Sequence, residues 1–259
     1  MFSVTPIPAF DDNYIWLLRS PGDRRCAVVD PGDEDPVLEV LQREGLQLAA
    51  ILITHKHGDH TGGIRGLKAA WPDAVVYGPA GEPIPLLERP LSAGDAVTVA
   101  GLDTLFAVLE VPGHTEGHIA YLGDGALFCG DTLFACGCGR VFSGTHEQLS
   151  ESLARLAELP PETRVYCAHE YTLANIGFAK WVEPQNAELL AREQADGAAR
   201  ARGLPTVPST IALELATNPF LRTSQPTVIA AAERWAGRVL SSRAEVFRAV
   251  RTWKDRDYD

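Results

Sequence analysis

Over the first two thirds of the chain, hydrophobic positions come in short runs broken by turns, the pattern expected of β-strands. The runs are Tyr14–Leu18, Cys26–Val29, Leu48–Ile53, Val75–Tyr77, Thr104–Val111, Ile119–Leu122, Leu127–Cys129 and Arg164–Cys167. Between them, helical patterns occupy Pro36–Arg43, Gly63–Ala70 and Glu147–Leu156. Strands interleaved with helices predict sheets covered by helices, an α/β arrangement in layers. After about Tyr171 the strand pattern stops and Ala, Leu, Glu and Arg dominate. Helices are predicted there over Leu173–Trp181, Asn186–Arg202, Ile211–Ala216, Gln225–Trp235 and Arg243–Trp253. Thr210 and Ser242 stand where N-caps are wanted, and Pro205, Pro208, Pro219 and Pro226 punctuate the connections. The expected organisation is a layered α/β domain over residues 1–173 and a smaller α-helical domain over residues 174–259.

Composition narrows the function classes. With 259 residues, 46% of them hydrophobic, the chain can bury a sizeable core. A formal charge of -11 argues against nonspecific binding to nucleic acid, whose phosphates such a surface would repel. The start of the chain shows no charged leader followed by an apolar run, and no stretch approaches the roughly 18 apolar residues of a membrane helix. A soluble, cytoplasmic protein without a membrane partner is expected, with a monomer as the default. The five cysteines, Cys26, Cys129, Cys136, Cys138 and Cys167, are an odd, scattered set that suits reduced thiols better than disulfides. Cys136-Gly137-Cys138 reads as small packed residues in a turn.

Candidate chemistry is concentrated in Thr54-His55-Lys56-His57-Gly58-Asp59-His60, directly behind the continuously apolar strand Ala49–Ile53. His55 and His57 are two apart and project to the same side of an extended backbone, while Asp59 and His60 sit where the chain turns. Three more stations repeat the theme of an apolar strand followed by a donor: Val108–Val111 before His114, Ala126–Cys129 before Asp131, and Arg164–Cys167 before His169. Strand ends of one sheet gather at one edge, so these donors can converge. Imidazole and carboxylate without thiolate suit zinc, iron or manganese and exclude a Cys-type zinc finger. Seven ligands exceed the needs of one tetrahedral ion. Shared between two divalent ions, they leave each an open position for water, as catalysis requires. His118 is expected beside the site and His146 as a helix cap.

Thr-His-x-His-x-Asp-His, followed by Pro112-Gly113-His114, Gly130-Asp131-Thr132 and Ala168-His169-Glu170, resembles the metallo-β-lactamase fold superfamily over roughly residues 1–173. The resemblance implies a four-layer αββα sandwich. It also implies one metal held by His55, His57 and His114, a second held by Asp59, His60 and His169, and Asp131 bridging. Within that superfamily the glyoxalase II (hydroxyacylglutathione hydrolase) family is the closer match. Three strings carry it: Gly130–Phe134 running into Gly137-Cys138-Gly139-Arg140, then His169-Glu170-Tyr171-Thr172, then Asn218–Arg222; the closing Arg251-Thr252-Trp253-Lys254-Asp255 adds to them. The resemblance implies that Arg140, Tyr171, Arg251 and Lys254 contact glutathione. Phe142 stands where that family often has a tyrosine.

The implied activity is hydrolysis of S-D-lactoylglutathione to D-lactate and glutathione, the second step of methylglyoxal detoxification. A hydroxide between two metals, zinc before iron or manganese, is the expected nucleophile, with Asp59 and Asp131 arranged around it. The alternatives are a persulfide dioxygenase-like enzyme or another hydrolase of the same fold. More remote is an RNA-processing phosphodiesterase, which this acidic chain lacks the basic arm to be.

Overall fold

The computed structural model describes residues 2–259. In chain order the elements are β1 (Ser3–Ala9), β2 (Asn13–Arg19), β3 (Arg25–Val29), α1 (Asp35–Glu44), β4 (Gln47–Leu52), α2 (Gly58–Thr61), α3 (Ile64–Ala70), β5 (Val75–Pro79), β6 (Arg89–Leu91), β7 (Ala96–Thr98), β8 (Leu105–Glu110), β9 (Ile119–Gly123) and β10 (Ala126–Gly130). They continue with β11 (Leu133–Phe134), β12 (Gly137–Cys138), α4 (His146–Leu156), β13 (Arg164–Cys167), α5 (Thr172–Val182), α6 (Ala187–Arg200), β14 (Ser209–Thr210), α7 (Ile211–Thr217), α8 (Pro226–Ala236) and α9 (Arg243–Asp257). Two compact units result: Met1–Val111 with Thr115–Gly130, and Pro112–His114 with Asp131–Asp259.

In the first unit, β1 to β6 form one sheet in sequence order, antiparallel from β1 to β3 and parallel from β3 to β6. Parallel pairing needs crossover connections, which α1 supplies between β3 and β4 and α2 with α3 between β4 and β5. Val37 and Leu41 of α1 and Ile64 and Leu67 of α3 pack with Ile15, Leu17, Val28, Ile51, Ile53 and Val76 of the sheet in one core cluster. β7 to β10 pair as an antiparallel meander. Their side of the unit meets the first sheet through the Tyr121 hydroxyl, which donates to the Ile53 carbonyl at 2.8 Å, and through Phe2, whose ring lies 5.4 Å from Phe106. The central strands are therefore covered on both faces, which is why β2, β3 and β4 read as unbroken apolar runs.

β1, which is not among the strands expected from the sequence, carries Pro6 and Pro8. It lies at the edge of its sheet, and both prolines face β2 only through Trp16 and Tyr14, so the missing N–H groups cost no ladder on the other side. In the second unit, α5 to α9 account for the predicted helical region, with Thr210 and Ser242 accepting from Leu213 and Glu245 amides as N-caps. α9 runs to Asp257, four residues beyond the predicted Trp253. Against expectation, His146 does not cap α4: Thr145 does, in a capping box with Gln148, because a hydroxyl one residue earlier reaches the third amide. All five cysteines are free and buried. Among the described residues no helix is long and apolar enough to cross a membrane.

Candidate metal centre

β4 ends at Leu52 between two parallel neighbours, and the chain then enters Ile53-Thr54-His55 with its backbone still tied: the Ile53 amide donates to Tyr77 at 2.9 Å. Asp30, just past the end of β3, fixes the start of the histidine loop. Its carboxylate accepts from the Thr54 amide at 2.8 Å and the Thr54 hydroxyl at 2.7 Å, and Oδ2 lies 3.1 Å from His60 Nδ1. Asp30 does this at φ 53°, a conformation unfavourable for a non-glycine residue and held by those contacts. Asn13 donates to Asp59 Oδ2 at 3.2 Å. Glu82 accepts from the amides of Lys56 and Gly117 at 2.6 and 3.1 Å, clamping the loop from its other side. The His118 ring stacks on His55, centroids 4.5 Å apart, as a packing partner of that histidine.

β10 delivers Asp131. The preceding Gly130 turns the chain at φ 48°, and a Cβ there would lie 2.3 Å from the Thr54 hydroxyl, so only glycine serves. Asp131 then presents its two oxygens to different histidines: Oδ2 is 3.5 Å from His114 Nε2, and Oδ1 is 3.4 Å from His169 Nε2. His114 is oriented by its Nδ1, 2.8 Å from the Arg140 carbonyl, which leaves Nε2 for the site. His169 follows β13 and is flanked by Tyr171, whose ring is stacked on it at 4.7 Å and 5°. Phe142, 65% exposed, stands edge-on to His114 at 5.2 Å.

Neighbouring donors thus lie 3.1 Å apart at His55 Nε2 and His57 Nδ1, and 3.3 Å apart at Asp59 Oδ2 and His60 Nε2. Two ligands on one tetrahedral ion with bonds of about 2.0–2.1 Å are separated by about 3.3 Å, so these spacings are those of edges of a coordination polyhedron. Within the first unit His55, His57, Asp59 and His60 are gathered in this way, and within the second Asp131 lies between His114 and His169. Every expected ligand belongs to one of these two groups. Burial pushes the thiols of Cys136 and Cys167 up to about 12 and that of Cys138 to about 11, so none supplies a thiolate at neutral pH. The nitrogen and oxygen donors of this fold fit two metal ions.

The basic residues behave differently. Arg251 is buried, its side chain 1% exposed, with Nη1 donating to the Cys138 carbonyl at 3.0 Å. Its Nη2 forks between Asp255 at 2.8 Å and Asp259 at 3.1 Å. Lys254 is bonded to Asp259, and Arg140, half exposed, reaches the same carboxylate at 3.2 Å. Asp30, Asn13, Glu82 and Asp259 are absent from the sequence-based set. For Asp30 a signal existed, since Asp30-Pro31-Gly32 follows an apolar strand as the other donor stations do; the rest pair over distances that no local pattern encodes.

Fold and donors define a member of the metallo-β-lactamase superfamily, and the family model described as "Metallo-beta-lactamase superfamily" matches residues 9–169. A second, described as "Hydroxyacylglutathione hydrolase C-terminus", matches residues 170–257. The hydroxyacylglutathione hydrolase of Alkalilimnicola ehrlichii is 57% identical over 98% of this chain and 99% of its own length. The chain belongs to the hydroxyacylglutathione hydrolase family. Among solved structures, ETHE1 from Myxococcus xanthus aligns with a TM-score of 0.67 at 26% identity over 96% of this chain and 89% of that one. TTHA1623 in a di-iron-bound form aligns with a TM-score of 0.59 at 29% identity over 84% of this chain and 100% of that one.

Proposed function

We propose that this enzyme hydrolyses S-D-lactoylglutathione and related S-2-hydroxyacylglutathiones to glutathione and the 2-hydroxy acid, D-lactate for the first. In this reading His55, His57 and His114 hold one divalent ion, Asp59, His60 and His169 hold the other, and Asp131 joins them. The observation that carries it is the Asp131 carboxylate, whose two oxygens face two different histidines at 3.5 and 3.4 Å. A carboxylate serving one ion has no need of that division. Two bound ions would supply Lewis acidity and lower the pKa of water toward neutrality.

The chain's own residues do the rest. Asp30 and Asn13 hold His60 and Asp59 in place through side chains that touch no reacting atom. A C–O bond forms at the thioester carbonyl and the C–S bond breaks. The departing thiolate has a conjugate acid of pKa about 8.5, so no general acid has to deliver a proton to it. Tyr171, braced by Phe134 at 5.4 Å, and Arg140, Arg251 and Lys254 bind the glutathione portion. The functional division is placed between residues 173 and 174, after the last metal donor, within a second compact unit that holds His114, Asp131 and His169 together with the helices. Zinc in both positions, a monomeric state and a cytoplasmic location complete the proposal.

The decisive measurement joins metal analysis to a thioester assay. Protein carrying close to two metals per chain should release glutathione from S-D-lactoylglutathione, and intact thioester would refute the proposal. The same metal analysis tests zinc, and light scattering tests the monomer against a mass of 28.0 kDa.

A further inference from the structure

Arg140, Arg251 and Lys254, proposed to bind the anionic end of glutathione, together hold a carboxylate that belongs to the chain. Asp259 Oδ2 lies 3.1 Å from Arg251 Nη2 and 3.2 Å from Arg140 Nη2, and Oδ1 bonds to Lys254. Two carboxylates share this cluster, and their tethers differ. Asp255 sits inside α9, its backbone fixed one turn from Arg251, and meets Arg251 at 2.8 Å and Arg140 only at 3.8 Å. Asp259 lies beyond the helix cap at Tyr258, held through its amide by the Lys254 carbonyl at 3.0 Å. Tyr258 itself is anchored, its ring 5.0 Å from Trp181 and 5.6 Å from Phe178. A fixed anchor therefore carries a carboxylate that a side-chain rotation can withdraw. Burial alone would raise the Asp259 pKa, but Lys254, Arg251 and Arg140 hold it below the ordinary value, so it is ionised when substrate arrives.

We propose that Asp259 is a built-in competitor for this anion site, displaced by the remote carboxylate of the substrate, and that it sets both the affinity for glutathione thioesters and the preference for anionic over uncharged ones. An incoming carboxylate inherits three cations, whereas an uncharged thioester has nothing to exchange for them. The population in which Asp259 has withdrawn scales the apparent affinity, because binding-competent protein is only that fraction. The inference rests on the glutathione reading of Arg140, Arg251 and Lys254.

The test is Asp259→Asn, with Asp259→Ala as a second variant, compared with wild type on S-D-lactoylglutathione and on the S-D-lactoyl thioester of N-acetylcysteamine, which has no carboxylate. The expected result is a KM for the glutathione thioester lowered roughly two- to fivefold, the scale of partly exposed ion pairs. The inhibition constant of free glutathione should fall by the same factor, kcat should move far less, and the uncharged thioester should show no gain in KM. If Asp259 only braces Arg251 and Lys254, both variants raise KM and the glutathione inhibition constant, and the inference is overturned; an unchanged KM overturns it equally. Wild-type turnover reports separately on the function, since a wild type that leaves both thioesters intact sinks that reading before any variant is compared.

Discussion

The loop from Thr54 to His60 and the end of α9 both gather charge, but by opposite means. In the loop, donors adjacent in sequence are held by side chains from elsewhere: Asp30 on His60 and Thr54, Asn13 on Asp59, Glu82 on the Lys56 amide. Thr54 and His60 cannot move without breaking the Asp30 contacts. At α9, Arg251 and Lys254 sit on one helix face and are paired with carboxylates from the same helix end. On the proposed reading, the first region holds position for chemistry and the second exchanges one anion for another. Rigid donors should govern kcat and metal content, and exchangeable charges should govern KM.

The largest effect should come from Asp131→Ala, which removes the shared carboxylate. Metal content is expected to fall and kcat to drop by more than about 10³-fold, since several kcal/mol of Lewis-acid stabilisation go with the ions. A variant that keeps two metals and most of its kcat would break the comparison at its centre. Next is Arg251→Ala, which leaves Asp255 and the Cys138 carbonyl facing a buried gap. Denaturant unfolding should show a loss of about 1–3 kcal/mol, the cost of leaving the buried Cys138 carbonyl without its donor while the partly exposed Asp255 turns to water. A loss under 1 kcal/mol would mean that Arg251 is an exchangeable charge only and not also a structural one.

Asp30→Asn should fold and still fall short in the site. Loss of the anionic partner of His60 is expected to weaken metal affinity by roughly 10- to 100-fold in chelator competition, the range for groups that orient ligands. Metal affinity equal to wild type would show that the Thr54 contacts alone position the loop. The smallest effect is expected from Phe142→Tyr at the exposed ring beside His114. One added hydroxyl, worth the net of one hydrogen bond, should lower KM for the glutathione thioester by about two- to fivefold with kcat unchanged. No change would place the ring of residue 142 away from the bound substrate.

Much of this was legible before folding, for reasons specific to each element. The donors were found because each follows an apolar strand, a local signal repeated at His55, His114, Asp131 and His169. β1 was missed because its prolines are incompatible with a central strand, and only sheet order reveals that it is an edge. The last turn of α9 was missed because Lys254, Asp255 and Arg256 break the apolar period. Lys254 is nevertheless buried, as the partner of Asp259.

By itself the sequence determined the alternation of strands and helices, the kinds of donor and the spacing of the histidine loop, because all three are periodicities or neighbours along the chain. Only tertiary structure decided that Asp131 divides its oxygens between His114 and His169, that Asp30 supports His60, and that Asp259 occupies the cluster of Arg140, Arg251 and Lys254. Each of these joins groups far apart in the chain or turned toward one another by a loop. A carboxylate shows in sequence that it can bond, but which partner it finds depends on where the folded backbone brings its oxygens.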